Sequence, residues 1–337
     1  MSGMDTEHLK TVTAQLLARG KGILAADEST STIEKRLTAI GIASTEENRR
    51  AYRDMLLTTP GLGECISGVI LYDETIRQKA LDERLFPEVL LSAGVLPGIK
   101  VDLGTQDMPG SPEEKVTKGL EGLSDRLKEY RALGAQFAKW RAVITITEGA
   151  PTDENITANA HDLAAYARTC QDEGIVPIVE PEVLMDGANT IEVCEEVSRR
   201  VLTAVFAALG EADVYIPGMI LKTNMVVPGK MSGQDAASEL IADATLRVFT
   251  GVLPPDLQGQ AFLSGGQSDI EATKNLDAMN KKGPHPWALT FSYGRALQDA
   301  PLKAWGGKAE NKELGQAALM HRARMNSLAA KGEYAGE

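Results

Sequence analysis

The chain has 337 residues, 43% of them apolar, enough to bury a large core in one big α/β domain or in two ordinary ones. A formal net charge of -12 argues against a general nucleic-acid binder, because affinity for a phosphate backbone depends on clustered Lys and Arg. The three cysteines, Cys65, Cys170 and Cys194, have no CxxC spacing and fit reduced thiols; with no signal core and no long apolar run, we expect a cytoplasmic protein without a membrane partner.

In chain order, an opening helix over 5–19 precedes the first of eight apolar, β-branched-rich runs. The runs are GILAADES (22–29), ISGVILYDET (66–75), LPGIKVDLGT (96–105), AQFAKWRAVI (135–144), GIVPIVEPEV (174–183), VYIPGMILKTNM (214–225), GQAFLSGGQS (259–268) and WALTFSYGRAL (287–297). Helical stretches separate them at 113–132, 154–173, 189–210, 234–250 and 269–281, and 305–331 closes the chain. No linker, low-complexity tract or charge block divides the sequence. The expected fold is therefore α/β: a single-domain (β/α)8 TIM barrel over 1–337, with an extra N-terminal helix, a C-terminal helical segment and a short, flexible end at 332–337.

In such a barrel the residues at the C-terminal ends of the strands line the active site. Nearly every run carries a charged or hydroxyl residue in its latter half: Asp27, Asp73, Lys100, Lys139 with Arg141, Glu180 with Glu182, Lys222, Ser264 and Ser292. Lys222, in GMILKTNM, is a lysine in an apolar strand context, where an unpaired ammonium is costly. Burial and the nearby cations Lys139 and Arg141 are expected to favour the neutral amine that attacks a ketone; the alternative is a structural ion pair with Glu180 or Glu182. Glu180 and Glu182 share a strand face and suit the proton transfers of imine chemistry. Asp27 suits deprotonation of a C4 hydroxyl, although Asp27 or Ser29 could instead cap a helix.

Ser264, Gly265 and Gly266 of LSGGQS and Arg295 of SYGR form a candidate phosphate loop at runs seven and eight, with backbone N–H groups and one guanidinium. Ser29, Arg36, Lys100 and Arg141 could build a second anion site across the mouth; Lys35 reads as a solvated helix face. Two anion sites around a nucleophilic lysine describe a bisphosphorylated ketose. A metal-assisted aldol reaction is disfavoured, since His8, His161, His285 and His321 show no ligand spacing, and GxGxxG and GxxxxGK[ST] motifs are absent from strand-to-helix junctions. No metal and no cofactor are expected.

The segments GKGILAADEST, IEKRL, TEENRR, GIKVDLGT, AKWRAVI, VEPEVLMDG, LKTNMVVPGK, FLSGGQS, WALTFSYGRALQ and LKAWGGK, in order to about residue 331, resemble the class I fructose-bisphosphate aldolases. The resemblance implies Lys222 as the Schiff-base lysine and Glu180 as the acid/base of carbinolamine dehydration. It implies Lys139 and Glu182 as residues tuning the imine, and Asp27 as the group handling the C4 hydroxyl. It assigns Ser264, Gly265, Gly294 and Arg295, with Ser292 and Arg36 nearby, to the C1 phosphate, and Ser29, Lys100 and Arg141 to the C6 phosphate. It further implies glycolytic and gluconeogenic cleavage of fructose 1,6-bisphosphate and a homotetramer. Two departures stand out: Thr32 occupies a position where animal members carry serine, and the sequence closes at GEYAGE without their flexible tail and terminal tyrosine, for which Tyr334 is no equivalent. The competing readings are a Schiff-base barrel aldolase for a sugar monophosphate and a catalytically inactive barrel kept as a binding scaffold.

Overall fold

A computed structural model of the chain describes residues 4–337. Its strands are β1 (Gly22–Ala26), β2 (Ile66–Leu71), β3 (Leu96–Lys100), β4 (Thr105–Met108), β5 (Ser111–Thr117), β6 (Phe137–Ile144), β7 (Val176–Val183), β8 (Ile220–Thr223), β9 (Gly259–Phe262) and β10 (Ala288–Tyr293). Eight of them close into a parallel barrel in the order β1-β10-β9-β8-β7-β6-β3-β2, the TIM barrel expected from the eight runs. The remaining two, β4 and β5, form an antiparallel hairpin between β3 and β6.

That hairpin corrects the helix expected over 113–132, which begins only at Leu123 and ends at Ala132. The Glu-Glu-Lys sequence at 113–115 reads as a helical first turn, but tertiary contacts override it. Glu114 is buried, accepting from the Thr152 backbone N–H at 2.8 Å and the Thr152 hydroxyl at 2.7 Å. Thr117 donates its hydroxyl to the Arg141 carbonyl at 2.8 Å, fastening the hairpin to the barrel wall. The closing helix expected over 305–331 is Lys312–Ala329, and a separate helix, Arg295–Trp305, precedes it. No helix among the described residues is long and apolar enough to cross a membrane.

Strand alternation divides the core in two. Residues facing outward, such as Leu24, Val69, Ile99, Val179 and Leu221, pack beneath the surrounding helices. Those facing inward, Ile23, Ala25, Ile70, Phe137, Val176, Ile178, Ile220 and Ala261, fill the lower barrel and meet Leu9, Val12, Leu16 and Leu17 of the leading helix and its C-cap. This helix, Thr6–Leu16, spaces its apolar residues one turn apart, and the Asp5 side chain caps it by accepting from the His8 N–H at 3.0 Å. It closes the N-terminal end of the barrel, so this apolar plug lies opposite the mouth at the C-terminal ends of the strands. Glycine at position 98 makes room for the central ring, because a Cβ there would lie 2.3 Å from Phe137.

Candidate active site

The same alternation that fills the lower barrel with apolar groups carries polar ones to its upper layer. Two residues beyond Ala25 comes Asp27; two beyond Phe137 comes Lys139, then Arg141; two beyond Ile178 comes Glu180, then Glu182; two beyond Ile220 comes Lys222. Register sets their neighbours: Lys100 pairs with Lys139, and Ile178 pairs with Ile220, so Glu180 and Lys222 stand level. Lys222 Nζ is 3.0 Å from Glu180 Oε1, with both residues almost wholly buried. Lys139 Nζ is 2.7 Å from Asp27 Oδ2 and 3.5 Å from Glu180 Oε2. Arg141 donates its Nε–H to Glu182. Four of the expected catalytic residues, Lys222, Glu180, Lys139 and Asp27, thus meet in one cluster, with Glu182 one step further along β7.

Electrostatics favour the charged forms of Asp27, Lys139 and Arg141. Burial raises the cost of a charged Asp27, but the ammonium groups of Lys139 and Lys222 outweigh it and hold its carboxyl well below the usual carboxylate range. For Lys139, burial works against the charge, while Asp27, Glu180 and Asp102 together push its ammonium above the ordinary lysine value. Arg141 behaves alike, with Glu182 overcoming its desolvation. The expected cationic neighbour of Lys222 is therefore present, but it is bound to carboxylates on two sides, and Glu180 is shared between the two lysines.

Above this layer opens a cavity of about 880 Å³, lined by Lys222, Lys139, Glu180, Glu182 and Asp27 at its floor. Ser264, Gly265, Ser292, Gly294, Arg295 and Arg36 line one side and Lys100 and Arg141 another, with Ser29 also in the wall. In the ring of strands β9 lies opposite β3, and β10 opposite β6, so the two groups of cations face each other across the mouth. Gly265 takes φ +57, a conformation that favours glycine, and the Arg295 guanidinium donates to its carbonyl at 2.5 Å. Among the described residues Arg295 makes no ion pair, and its side chain is exposed at the start of a helix. It is the cation best placed to meet an incoming anion.

Other residues singled out in the sequence lie at the rim of this cavity or beyond it. Gly266 is not part of the cavity wall: its N–H is turned to Met185 Sδ at 2.9 Å, and a Cβ on it would meet Lys230 Nζ at 2.1 Å. Ser29 is the N-cap residue of the helix Thr30–Ala39, and its hydroxyl lies 3.1 Å from that of Thr32 and 3.3 Å from that of Ser31, so these three hydroxyls form one lip of the cavity. Asp73 does not end a strand but opens the short helix Asp73–Ile76 and pairs with Arg77 at 2.8 Å on the rim. Tyr334 is buried away from the cavity, its backbone N–H donating to Asp277 at 2.9 Å.

Two functional groups escaped the sequence reading. Asp102 is buried in the cavity wall, 2.5 Å from Lys100 Nζ and 3.9 Å from Lys139 Nζ, and so orders both cations. Its place two residues beyond Lys100, on the same strand face, was a usable signal, hidden because Asp-Leu-Gly reads as a turn. Glu28 is also buried and receives Arg36 at 2.6 Å and Arg53 at 2.6 Å. Together these groups provide a buried amine, a carboxylate within proton-transfer reach of it, and cationic sites on both sides of a deep cavity.

Comparisons with known proteins give the family. Residues 8–337 match the model of the glycolytic family of class I fructose-bisphosphate aldolases. A cytosolic fructose-bisphosphate aldolase of Arabidopsis thaliana is 52% identical, over 94% of this chain and 81% of its own. A probable class 1 fructose-bisphosphate aldolase of Xanthomonas axonopodis pv. citri is 50% identical, over 99% of this chain and 100% of its own. Among solved structures, fructose-bisphosphate aldolase from Plasmodium falciparum, in complex with TRAP and a small-molecule inhibitor, superposes with a TM-score of 0.97 at 49% identity, covering 98% of this chain and 96% of that one. The chain belongs to the class I fructose-bisphosphate aldolase family.

Proposed function

We propose that this chain cleaves fructose 1,6-bisphosphate reversibly into dihydroxyacetone phosphate and glyceraldehyde 3-phosphate through a Schiff base on Lys222. The observation that carries the mechanism is the 3.0 Å approach of Lys222 Nζ to Glu180 Oε1 on the floor of a cavity with cations on facing sides. Glu180 first takes the proton that frees the Lys222 amine and gives it to the C2 oxygen as the amine adds; it then takes the proton that the new C–N nitrogen sheds and passes it to the carbinolamine hydroxyl, so that water leaves and the iminium remains. Asp27, kept anionic by Lys139, takes the proton of the C4 hydroxyl. The C3–C4 bond then breaks, its electron pair enters the iminium to give an enamine, and the aldehyde departs. Protonation at C3 and hydrolysis return the amine. The iminium is the electron sink, so the reaction needs neither metal nor cofactor.

Arg295, Gly294, Gly265 and Ser264, with Ser292 and Arg36, hold the C1 phosphate in this reading; Lys100, Arg141 and Ser29 hold the C6 phosphate. Facing cationic walls favour a bisphosphate over a monophosphate, and the intact set of paired groups on the floor speaks against an inert scaffold. A cytosolic setting and a homotetramer belong to the same reading, supported by the relatives named cytosolic and by the family resemblance. The test is Lys222→Met assayed for triose phosphate release: cleavage should disappear while the fold persists, and a variant that still cleaves would overturn the mechanism.

A further inference from the structure

The stretch SYGRALQ supplies Gly294 and Arg295 to the cavity but leaves Gln298, one helical turn further on, without a task, although this residue is fully buried. Its carboxamide is tied to three other elements. Nε2 donates to the Ala25 carbonyl at 2.6 Å and to Glu28 Oε1 at 2.8 Å, and Oε1 accepts from the Tyr52 hydroxyl at 3.0 Å. Glu28 in turn accepts from Arg53 at 2.6 Å and pairs with Arg36 at 2.6 Å. One carboxamide and one carboxylate therefore join strand β1, the helix Thr30–Ala39 with Arg36, the helix Glu46–Leu57 with Tyr52 and Arg53, and the helix Arg295–Trp305.

The two ends of this bridge lie on one side of the cavity. A Cβ on Gly294 would stand 3.7 Å from Arg36 Nη2, so Arg36 and the start of the Arg295 helix are in near contact. Burying a polar network is costly compared with packing a leucine, and its return is a fixed geometry. We infer that Gln298, through Glu28, is a positioning residue for the C1-phosphate site, holding the helix of Arg295 and the side chain of Arg36 at one separation. The inference rests on the reading that Arg36, Gly294 and Arg295 hold that phosphate.

The test is Gln298→Leu, which keeps the bulk and removes the bridge, measured on fructose 1,6-bisphosphate and on fructose 1-phosphate. Both sugars carry the C1 phosphate. KM should rise about tenfold for each, the size expected when one buried hydrogen-bonded contact is lost, with their ratio unchanged and kcat within about threefold. The concentration of dihydroxyacetone phosphate that half-saturates borohydride trapping should rise by the same factor. Thermal unfolding is followed in parallel; if Gln298→Leu does not fold, Glu28→Gln, which keeps the shape but releases both guanidinium groups, must show the same KM pattern. Unchanged KM values with only a lowered unfolding midpoint would overturn the inference, as would a KM rise confined to the bisphosphate. Arg295→Ala separates the two failures: if it too leaves KM for fructose 1-phosphate unchanged, the phosphate assignment itself falls, and the positioning role with it.

Discussion

Lys222 and Glu180 face each other from neighbouring strands β8 and β7, with Nζ and Oε1 3.0 Å apart, and the parallel register fixes the pairing rather than any loop. The other oxygen of the same carboxylate is 3.5 Å from Lys139 Nζ and has no hydrogen-bond partner. Among the described residues Glu180 is thus the one carboxylate paired with both lysines, and the proposed mechanism runs its proton transfers at the imine through it.

Glu180→Gln retains the shape and removes the proton acceptor. Cleavage should slow by about 10²- to 10³-fold in kcat, within the range of a lost general acid/base, and single-turnover measurement should locate the loss in Schiff-base formation and dehydration. Equal rates of imine formation in wild type and variant would assign the proton transfers to another group.

Lys139→Met removes the ammonium 2.7 Å from Asp27 and leaves buried carboxylates without their partner. The expected cost is about 3–5 kcal/mol of stability. Its pH dependence follows from the two shifts. Asp27 is held below its ordinary 3.8, so its contribution is complete above that value and is lost only as pH falls through the lower folded value. Lys139 is raised above its ordinary 10.5, so its contribution is complete below that value and is lost only at still higher pH. The wild type should therefore show no dependence from this pair between about pH 5 and 9. In the variant Asp27 can shed its uncompensated charge by protonation, so the difference in unfolding midpoint from wild type should narrow as pH falls towards about 4.

The two cationic walls should be separable by substrate. Arg295→Ala should raise KM for both fructose 1,6-bisphosphate and fructose 1-phosphate by at least about tenfold, the loss of one charge-assisted contact. Lys100→Ala should raise KM for the bisphosphate by a similar factor and leave fructose 1-phosphate nearly unchanged, since the latter has no C6 phosphate. Steady-state kinetics on the two sugars check both statements.

The barrel was legible because each strand carries its own signal: an apolar run that ends in a polar residue on the inward face. Lys222, Glu180, Lys139 and Asp27 share the phase of Ile220, Ile178, Phe137 and Ala25, and period-two alternation needs no tertiary knowledge. The hairpin at 105–117 was not legible, because Glu114 is explained only by Thr152, a partner far along the chain. Glu28 and Gln298 were hidden for the same reason: their partners Arg53, Tyr52 and Ala25 come together only in the folded barrel. Gly266 was grouped with Gly265 by adjacency, yet the loop turns the N–H of Gly266 to Met185.

The account depends most on Lys222 being the residue that condenses with the ketone. Borohydride added in the presence of dihydroxyacetone phosphate should give a stable adduct, and peptide mapping should place it on Lys222, with the same yield after chelator treatment. An adduct on Lys139 or Lys100, or no adduct together with activity that a chelator abolishes and a divalent ion restores, would contradict the mechanism.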